Sequence, residues 1–321
     1  MVARVIPPTS EPGPRGAELS GGDIATVELL DAAERGPAAT AMARSPRSAA
    51  ASAVNPGPAP RAAPRRAPVA AVHAGDRVDI QGVQIDVLDW QKAVDRIEDW
   101  ASRHQSATVA ICNSHSIVTA SDDDQFALAL AEADMATADG MPVAWMMRRL
   151  GYPGQERING PDLMLRYCEQ AALTGTSIYL YGSTDPVLDQ LVSRLEQQFP
   201  GLKIAGRYSP PFRPLTDVED AEICKRIADT GAGVVFVSLG CPKQEKWMHA
   251  HRGRIPAVMI GVGAAFDYHA GTLSRAPAWM RNNGLEWFHR LVSEPRRLWK
   301  RYLVTNTLFS VRALAQLLGR K

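Results

Sequence analysis

Gly233-Val234-Val235-Phe236-Val237-Ser238-Leu239-Gly240-Cys241-Pro242-Lys243-Gln244-Glu245-Lys246-Trp247 changes character twice within fifteen residues. Its first part, Gly233–Ser238, is β-branched and aromatic with no charge, which predicts a buried strand. Gly240 permits a tight turn. Pro242 occupies the expected first position of a helix predicted over Gln244–Arg252, where a missing N–H costs nothing. Strand, glycine turn and helix form the repeating unit of a parallel sheet, and the unit recurs on both sides. Further strands are predicted at Val83–Val87, Thr108–Cys112, Ser177–Tyr181, Lys203–Gly206 and Ala257–Val262. Helical patterns at Trp90–Arg103, Ser116–Ala133, Pro161–Leu173, Pro186–Phe199 and Val218–Thr230 fill the gaps. The expected class is α/β, a mostly parallel sheet with flanking helices.

The 321 residues carry a net charge of +2 that hides three unlike parts. Residues 1–75 hold 8 Lys+Arg against 6 Asp+Glu, residues 76–280 hold 19 against 26, and residues 281–321 hold 9 against 2. An acidic body thus ends in a basic tail, which excludes a uniformly basic nucleic-acid binder. Residues 1–75 contain 20 Ala and 11 Pro but no Phe, Trp or Tyr, so they are expected to form a disordered leader. The expected division is that leader, an α/β domain over 76–280, and a C-terminal appendage over 281–321. Cys112, Cys168, Cys224 and Cys241 are scattered without a Cys-x-x-Cys pair, which argues against a disulfide framework or zinc ribbon. No apolar run reaches the roughly 18 to 20 residues of a membrane-spanning helix.

Ligands of open α/β sheets gather at the carboxyl ends of strands, which draws attention to three places. Asn113-Ser114-His115 follows one strand, and Asp139-Gly140 lies between an expected helix end and a glycine turn. A carboxylate there either acts as a general base toward a hydroxyl or makes an ordinary turn. The Gly240–Trp247 turn offers backbone N–H groups and a helix dipole to an anion, with Lys243 and Lys246 to add charge; a capped helix start without ligand is the alternative. Neither a Walker loop nor a Gly-x-Gly-x-x-Gly fingerprint is present, which disfavours a dinucleotide oxidoreductase. Gly261-Val262-Gly263-Ala264-Ala265-Phe266-Asp267 allows close backbone approach, and Asp267 can accept hydrogen bonds from a sugar or base. Asp122-Asp123-Asp124 reads as a solvated helix face. His249 and His251, two apart on a helix, cannot share a face for a metal.

The tail separates on a helical wheel at about 100° per residue. Leu298, Trp299, Tyr302 and Leu303 fall on one side, and Arg296, Arg297, Lys300 and Arg301 on the other. A basic amphipathic helix of this kind suits an anionic membrane surface, or packs on its own domain or a sister subunit.

Several words in order resemble the bacterial WecG/TagA/CpsF glycosyltransferases over about residues 80–310. They are Asn113-Ser114-His115-Ser116, Ala138-Asp139-Gly140-Met141-Pro142, Glu156-Arg157-Ile158-Asn159-Gly160-Pro161-Asp162, the Phe236–Met248 stretch, Ile260–Asp267, Arg275-Ala276-Pro277, Gly284-Leu285-Glu286-Trp287 and Glu294-Pro295-Arg296-Arg297. The resemblance implies a Rossmann-like, inverting glycosyltransferase that works without metal or other cofactor. Its expected partners are a UDP-sugar donor, a polyprenyl-diphosphate-linked acceptor, an anionic membrane surface at the inner face of the plasma membrane, and a second copy of the chain. Asp139 is the implied base. Asn113, Arg157, Gly240, Lys243, Gln244, Glu245 and Asp267 are the implied substrate-side residues, and Arg281, Arg290, Arg296 and Arg297 are expected near the lipid diphosphate. The wording resembles exopolysaccharide-building, glucose-transferring members; transfer of N-acetylmannosamine is the alternative. A decayed, noncatalytic scaffold fits poorly with an intact Asp139, Lys243 and Asp267.

Overall fold

A computed structural model describes residues 75–319, so all of the expected leader except Gly75 lies outside the described residues. The described chain opens with an antiparallel hairpin, β1 (Arg77–Ile80) and β2 (Val83–Asp86). It turns at Gln81 and Gly82, both at positive φ (54° and 92°), as a two-residue hairpin loop requires. The strand expected at Val83–Val87 is β2. Its partner β1 lies outside the expected strands; Val78 and Ile80 alternate with Arg77 and Asp79, and pairing with β2 and burial of those two apolar residues hold it.

The main sheet has six strands: β3 (Ala107–Cys112), β4 (Met135–Ala138), β5 (Ser177–Gly182), β6 (Lys203–Tyr208), β7 (Val234–Ser238) and β8 (Val258–Gly261). They lie in the order β4-β3-β8-β7-β5-β6, every neighbouring pair parallel. The α/β expectation therefore holds. Side-chain alternation divides each strand between two cores. Val109, Ile111, Leu180, Val234 and Phe236 face one layer, built on α1 (Trp90–Ser102). Ala110, Cys112, Tyr181, Val235 and Val237 face the other.

The helix expected over Ser116–Ala133 is two, α2 (Ser114–Ala120) and α3 (Asp124–Ala131). Asp123 causes the break: its carboxylate accepts the Phe126 N–H at 3.0 Å as an N-cap and pairs with Lys246 at 2.5 Å. Asp123 is thus a capping and pairing residue rather than part of a merely solvated face. Asp139 follows β4, a strand, not a helix end. Met135-Ala136-Thr137-Ala138 carries little β propensity of its own and becomes a strand by pairing with β3 from Val109↔Met135 to Cys112↔Ala138. After it come α4 (Met141–Arg149), α5 (Gly160–Thr174), α6 (Asp185–Gln198), α7 (Asp217–Asp229), α8 (Lys243–His251) and α9 (Ala265–Ala270). Pro242 stands just before α8, not at its first position.

The C-terminal segment forms α10 (Ala278–Asn282), α11 (Glu286–Ser293) and α12 (Pro295–Leu318). Phe309 and Ala313 of α12 enter the same core as Ile117 and Val118 of α2. Gln316 reaches the hairpin, donating to the Asp79 carbonyl at 2.8 Å and accepting the Gln81 N–H at 3.1 Å. The wheel's single apolar side is split: Leu298 is buried, whereas Trp299 and Leu303 are 49% and 62% exposed. Among the described residues no helix is long and apolar enough to cross a membrane.

One buried ion pair locks the sheet to its cover. Asp134, just before β4, receives Arg252 at 2.6 and 3.0 Å and the Thr108 N–H of β3 at 2.9 Å. Removing the carboxylate would take from a buried guanidinium the charge it pairs with at 2.6 Å. Asp134→Ala is expected to lose roughly 3–5 kcal/mol, measured as a lower urea denaturation midpoint.

Candidate active site

With all six strands parallel, the loops after β3, β4, β5, β7 and β8 emerge on one edge. They surround a cleft of about 770 Å³, within the range of small-molecule sites. Helices α11 and α12 supply the remaining wall through Glu286, Arg290 and Tyr302.

Asp139 sits at the carboxyl end of β4, its N–H donating to the Cys112 carbonyl at 2.9 Å. Beside it runs the stretch from Gln155 to Asn159, held by three bonds, two of them to β4. Ile158 N–H donates to the Ala138 carbonyl (2.9 Å), Thr137 Oγ1 donates to the Ile158 carbonyl (3.0 Å), and the Gln155 amide donates to the Leu88 carbonyl (2.9 Å). That placement brings Arg157 Nε to 3.5 Å from Asp139 Oδ1. Burial pushes the Asp139 carboxyl above its ordinary range; Arg157 opposes this, Glu286 adds to it, and the Gly140 N–H and Asn113 amide oppose it. The net is a raised proton affinity, which suits a group that must accept a proton. Asn113 meanwhile caps α2, its Oδ1 accepting the His115 and Ser116 N–H groups at 2.9 and 3.1 Å.

On the opposite side, Gln244 ties two loops together. Its Oε1 accepts the Gly263 N–H at 3.1 Å and its Nε2 donates to Glu245 Oε1 at 2.8 Å. Glu245 is 3% exposed, and burial raises its carboxyl to about 7. Gly240, at φ +77°, makes the turn that a Cβ-bearing residue would strain. Asp267 lines the cleft from α9.

The expected lysines do not reach the cleft. Lys243 is exposed and outside the lining, and Lys246 is engaged with Asp123. The backbone N–H groups at the start of α8 are also partly used, since Gln244 N–H donates to the Gly240 carbonyl. Among the described residues, the arginines that line the cleft are Arg157 and Arg290. Arg281 turns instead toward Asp162, at 3.5 Å. Arg296 is exposed on the first turn of α12, and Arg297 shares that turn.

Glu286 lies outside the expected site residues, although it stands in one of the resembling words. Its Oε2 lies 2.5 Å from Arg157 Nη2 and its Oε1 3.4 Å from Arg275 Nε. Arg275 in turn bonds Asp162 at 2.6 Å and the Asn159 side chain at 3.2 Å. Asp162 is held below its ordinary range: burial raises it, but Arg275, Asn159 and Arg281 together prevail.

Away from the cleft, Asp220, Cys224 and His251 bring their ligand atoms within 4.8 Å of one another. Arg254 already bonds Asp220 there at 2.7 Å, so a guanidinium supplies the positive charge a metal would bring. His249 faces Glu132 at 2.9 Å.

The elevated Glu245 has a consequence for stability. A carboxyl whose folded-state affinity for protons exceeds its unfolded one stabilises the fold at low pH, and that stability is lost as pH rises through about 7. Glu245→Gln is expected to remove this slope. Relative to the parent, its stability should rise by about 3 kcal/mol between pH 5 and 8, read from urea midpoints at both values.

The description "Glycosyl transferase WecG/TagA/CpsF family" matches residues 78–321. An N-acetylglucosaminyldiphosphoundecaprenol N-acetyl-beta-D-mannosaminyltransferase of Bacillus subtilis (strain 168) is 36% identical over 199 residues, 61% of this chain and 75% of the relative. A protein of the same name from Bacillus spizizenii is 32% identical over 225 residues, 68% of this chain and 85% of the relative. With the match running from the hairpin through α12, the chain belongs to the WecG/TagA/CpsF family of glycosyltransferases.

Proposed function

We propose that the protein transfers an N-acetylhexosamine, N-acetylmannosamine foremost, from its UDP donor to N-acetylglucosamine carried on a polyprenyl diphosphate. The relatives' names favour this reading over the glucose-transferring, exopolysaccharide-type preference drawn from the wording of the motifs. The observation that carries the mechanism is Asp139, a carboxylate of raised proton affinity in the cleft at the strand ends.

In this reading the Asp139 carboxylate takes the proton of the acceptor hydroxyl as that oxygen bonds to the anomeric carbon. The bond from that carbon to the UDP oxygen breaks on the opposite face, so the configuration inverts. The leaving diphosphate carries the developing negative charge, and Arg290 is the cation on the cleft wall suited to meet it. Gln244, Glu245 and Asp267 serve the nucleotide and sugar, with the Gly240 and Gly263 turns giving close backbone approach. No metal is assigned a part in the step. Arg296, Arg297 and Arg281 are the tail cations proposed for the lipid side, Arg281 once released from Asp162.

The outer face of the C-terminal helices suits a membrane surface. Phe288, Val292, Trp299 and Leu303 are 48%, 64%, 49% and 62% exposed, beside Arg296 and Lys300. Apolar insertion plus about 1 kcal/mol per cation near an anionic leaflet favours peripheral binding at the inner face. A second copy of the chain is the competing occupant of that face.

Two experiments test these readings. A panel of UDP-sugars with synthetic N-acetylglucosaminyl-diphosphoundecaprenol, scored by product mass, is expected to give product with UDP-N-acetylmannosamine. In that assay Asp139→Asn should lose roughly 10² to 10⁴ in rate while remaining folded, and near-parental transfer would overturn the base assignment. For the membrane, the double substitution Trp299→Glu, Leu303→Glu changes exposed positions only. It is expected to abolish flotation with anionic vesicles; unchanged flotation refutes the surface assigned here.

A further inference from the structure

Two carboxylates reach for one guanidinium. Arg157 Nη2 is 2.5 Å from Glu286, while its Nε is 3.5 Å from Asp139, so the closer and stronger pair is the one with Glu286. Arg157 Nη1 is also held, donating to the Arg281 carbonyl at 3.3 Å. Glu286 cannot drift toward Asp139, because its other oxygen meets Arg275, and Arg275 is fixed by Asp162 and Asn159 of the α5 start. The guanidinium is therefore drawn off Asp139 by a residue that arrives with the C-terminal segment.

The other groups around Asp139 do not perform this task. From the β3–α2 junction comes the Asn113 amide, and from the β4–α4 turn the Gly140 N–H, both of which favour the carboxylate. Behind Arg157, Asp162 is balanced by Arg275 and Arg281. His115, Glu245, Tyr268, Arg290 and Tyr302 line the same cleft, and the Cys112 thiol lies beneath Asp139 close enough for its charge to be felt. Among the described acidic residues, Glu286 is the one that touches Arg157 together with Asp139.

We propose that Glu286 is a positioning residue for the transfer step: by engaging Arg157 it keeps that guanidinium from closing a two-pronged pair on Asp139, and so leaves the Asp139 carboxylate to the acceptor hydroxyl. The proposal rests on the reading of Asp139 as the base. Without Glu286, the long bond to the Arg281 carbonyl is a weak restraint against Arg157 moving the short distance onto Asp139, and a direct Arg–carboxylate pair weakens a base.

The test is the pH dependence of kcat/KM for the full-length protein, with the donor selected by the panel and N-acetylglucosaminyl-diphosphoundecaprenol in detergent. Glu286→Gln is expected to move the acidic limb down by about one pH unit. Its plateau kcat should fall roughly three- to tenfold, with the donor KM within about twofold, because a weaker base is a slower one. Glu286→Asp, which keeps the charge, should bring the limb back toward its parental position. Hydrogen exchange of residues 286–293 reports whether the segment stays docked in each variant. Should the Glu286→Gln limb remain at the parental pH, docked or undocked, the proposal is overturned. Asp139→Asn separates the two claims: if that variant keeps its rate, the base reading fails; if it loses its rate while Glu286→Gln titrates like the parent, only the role of Glu286 fails.

Discussion

Six strands running the same way impose one constraint from which the site follows. Each strand must deliver its carboxyl end to the same edge, and the chain must return across the sheet before the next can begin. The loops after β3, β4, β5, β7 and β8 therefore meet over one cleft, although they are spread through more than a hundred residues of sequence. A hydrophobic interior on both faces holds that arrangement, since Phe236 and Val237, adjacent in sequence, are buried in opposite layers. Local chemistry then adapts to the edge. Asn113 caps a helix and touches Asp139, and Gln244 ties the turn after β7 to the turn after β8.

Charge is distributed with the same economy. Three acids, Asp139, Asp162 and Glu286, alternate with three arginines, Arg157, Arg275 and Arg281, from the edge of the sheet into the C-terminal segment. Half-buried pairs of this kind contribute little net stability, because desolvation offsets attraction. Their effect is geometric: Arg157 and Arg275 are each held in one orientation by more than one partner. Along this line Arg157 and Arg275 of the body meet Glu286 of the tail, and Asp162 of the body meets Arg281.

Much of the fold was legible because its signals are local. The strand that becomes β7 is apolar throughout and followed by a glycine turn, and such a pattern has few alternatives in water. Asp139 was legible as a candidate from the glycine after it and from the resemblance. What was not legible depended on partners far away in sequence. The four residues of β4 become a strand by lying beside β3, and the helix after Asn113 ends early because Asp123 caps α3 and meets Lys246. The lysines expected on a phosphate were judged by type and position, but a side chain's direction is set by its helix face and by its nearest opposite charge. Lys246 found Asp123, and Lys243 points to solvent. On α12 the wheel sorted apolar from basic positions, yet could not say which apolar side the body would cover. Leu298 went inward and Trp299 outward.

By itself the sequence determined an α/β sheet, the separation of an acidic body from a basic tail, and the residue types at the strand ends, because those follow from short-range periodicity and composition. Only the tertiary structure decided that Arg157 stands between Asp139 and Glu286, 129 residues apart from the latter. Ion pairs between distant segments depend on where packing leaves each guanidinium, and no local pattern encodes that distance.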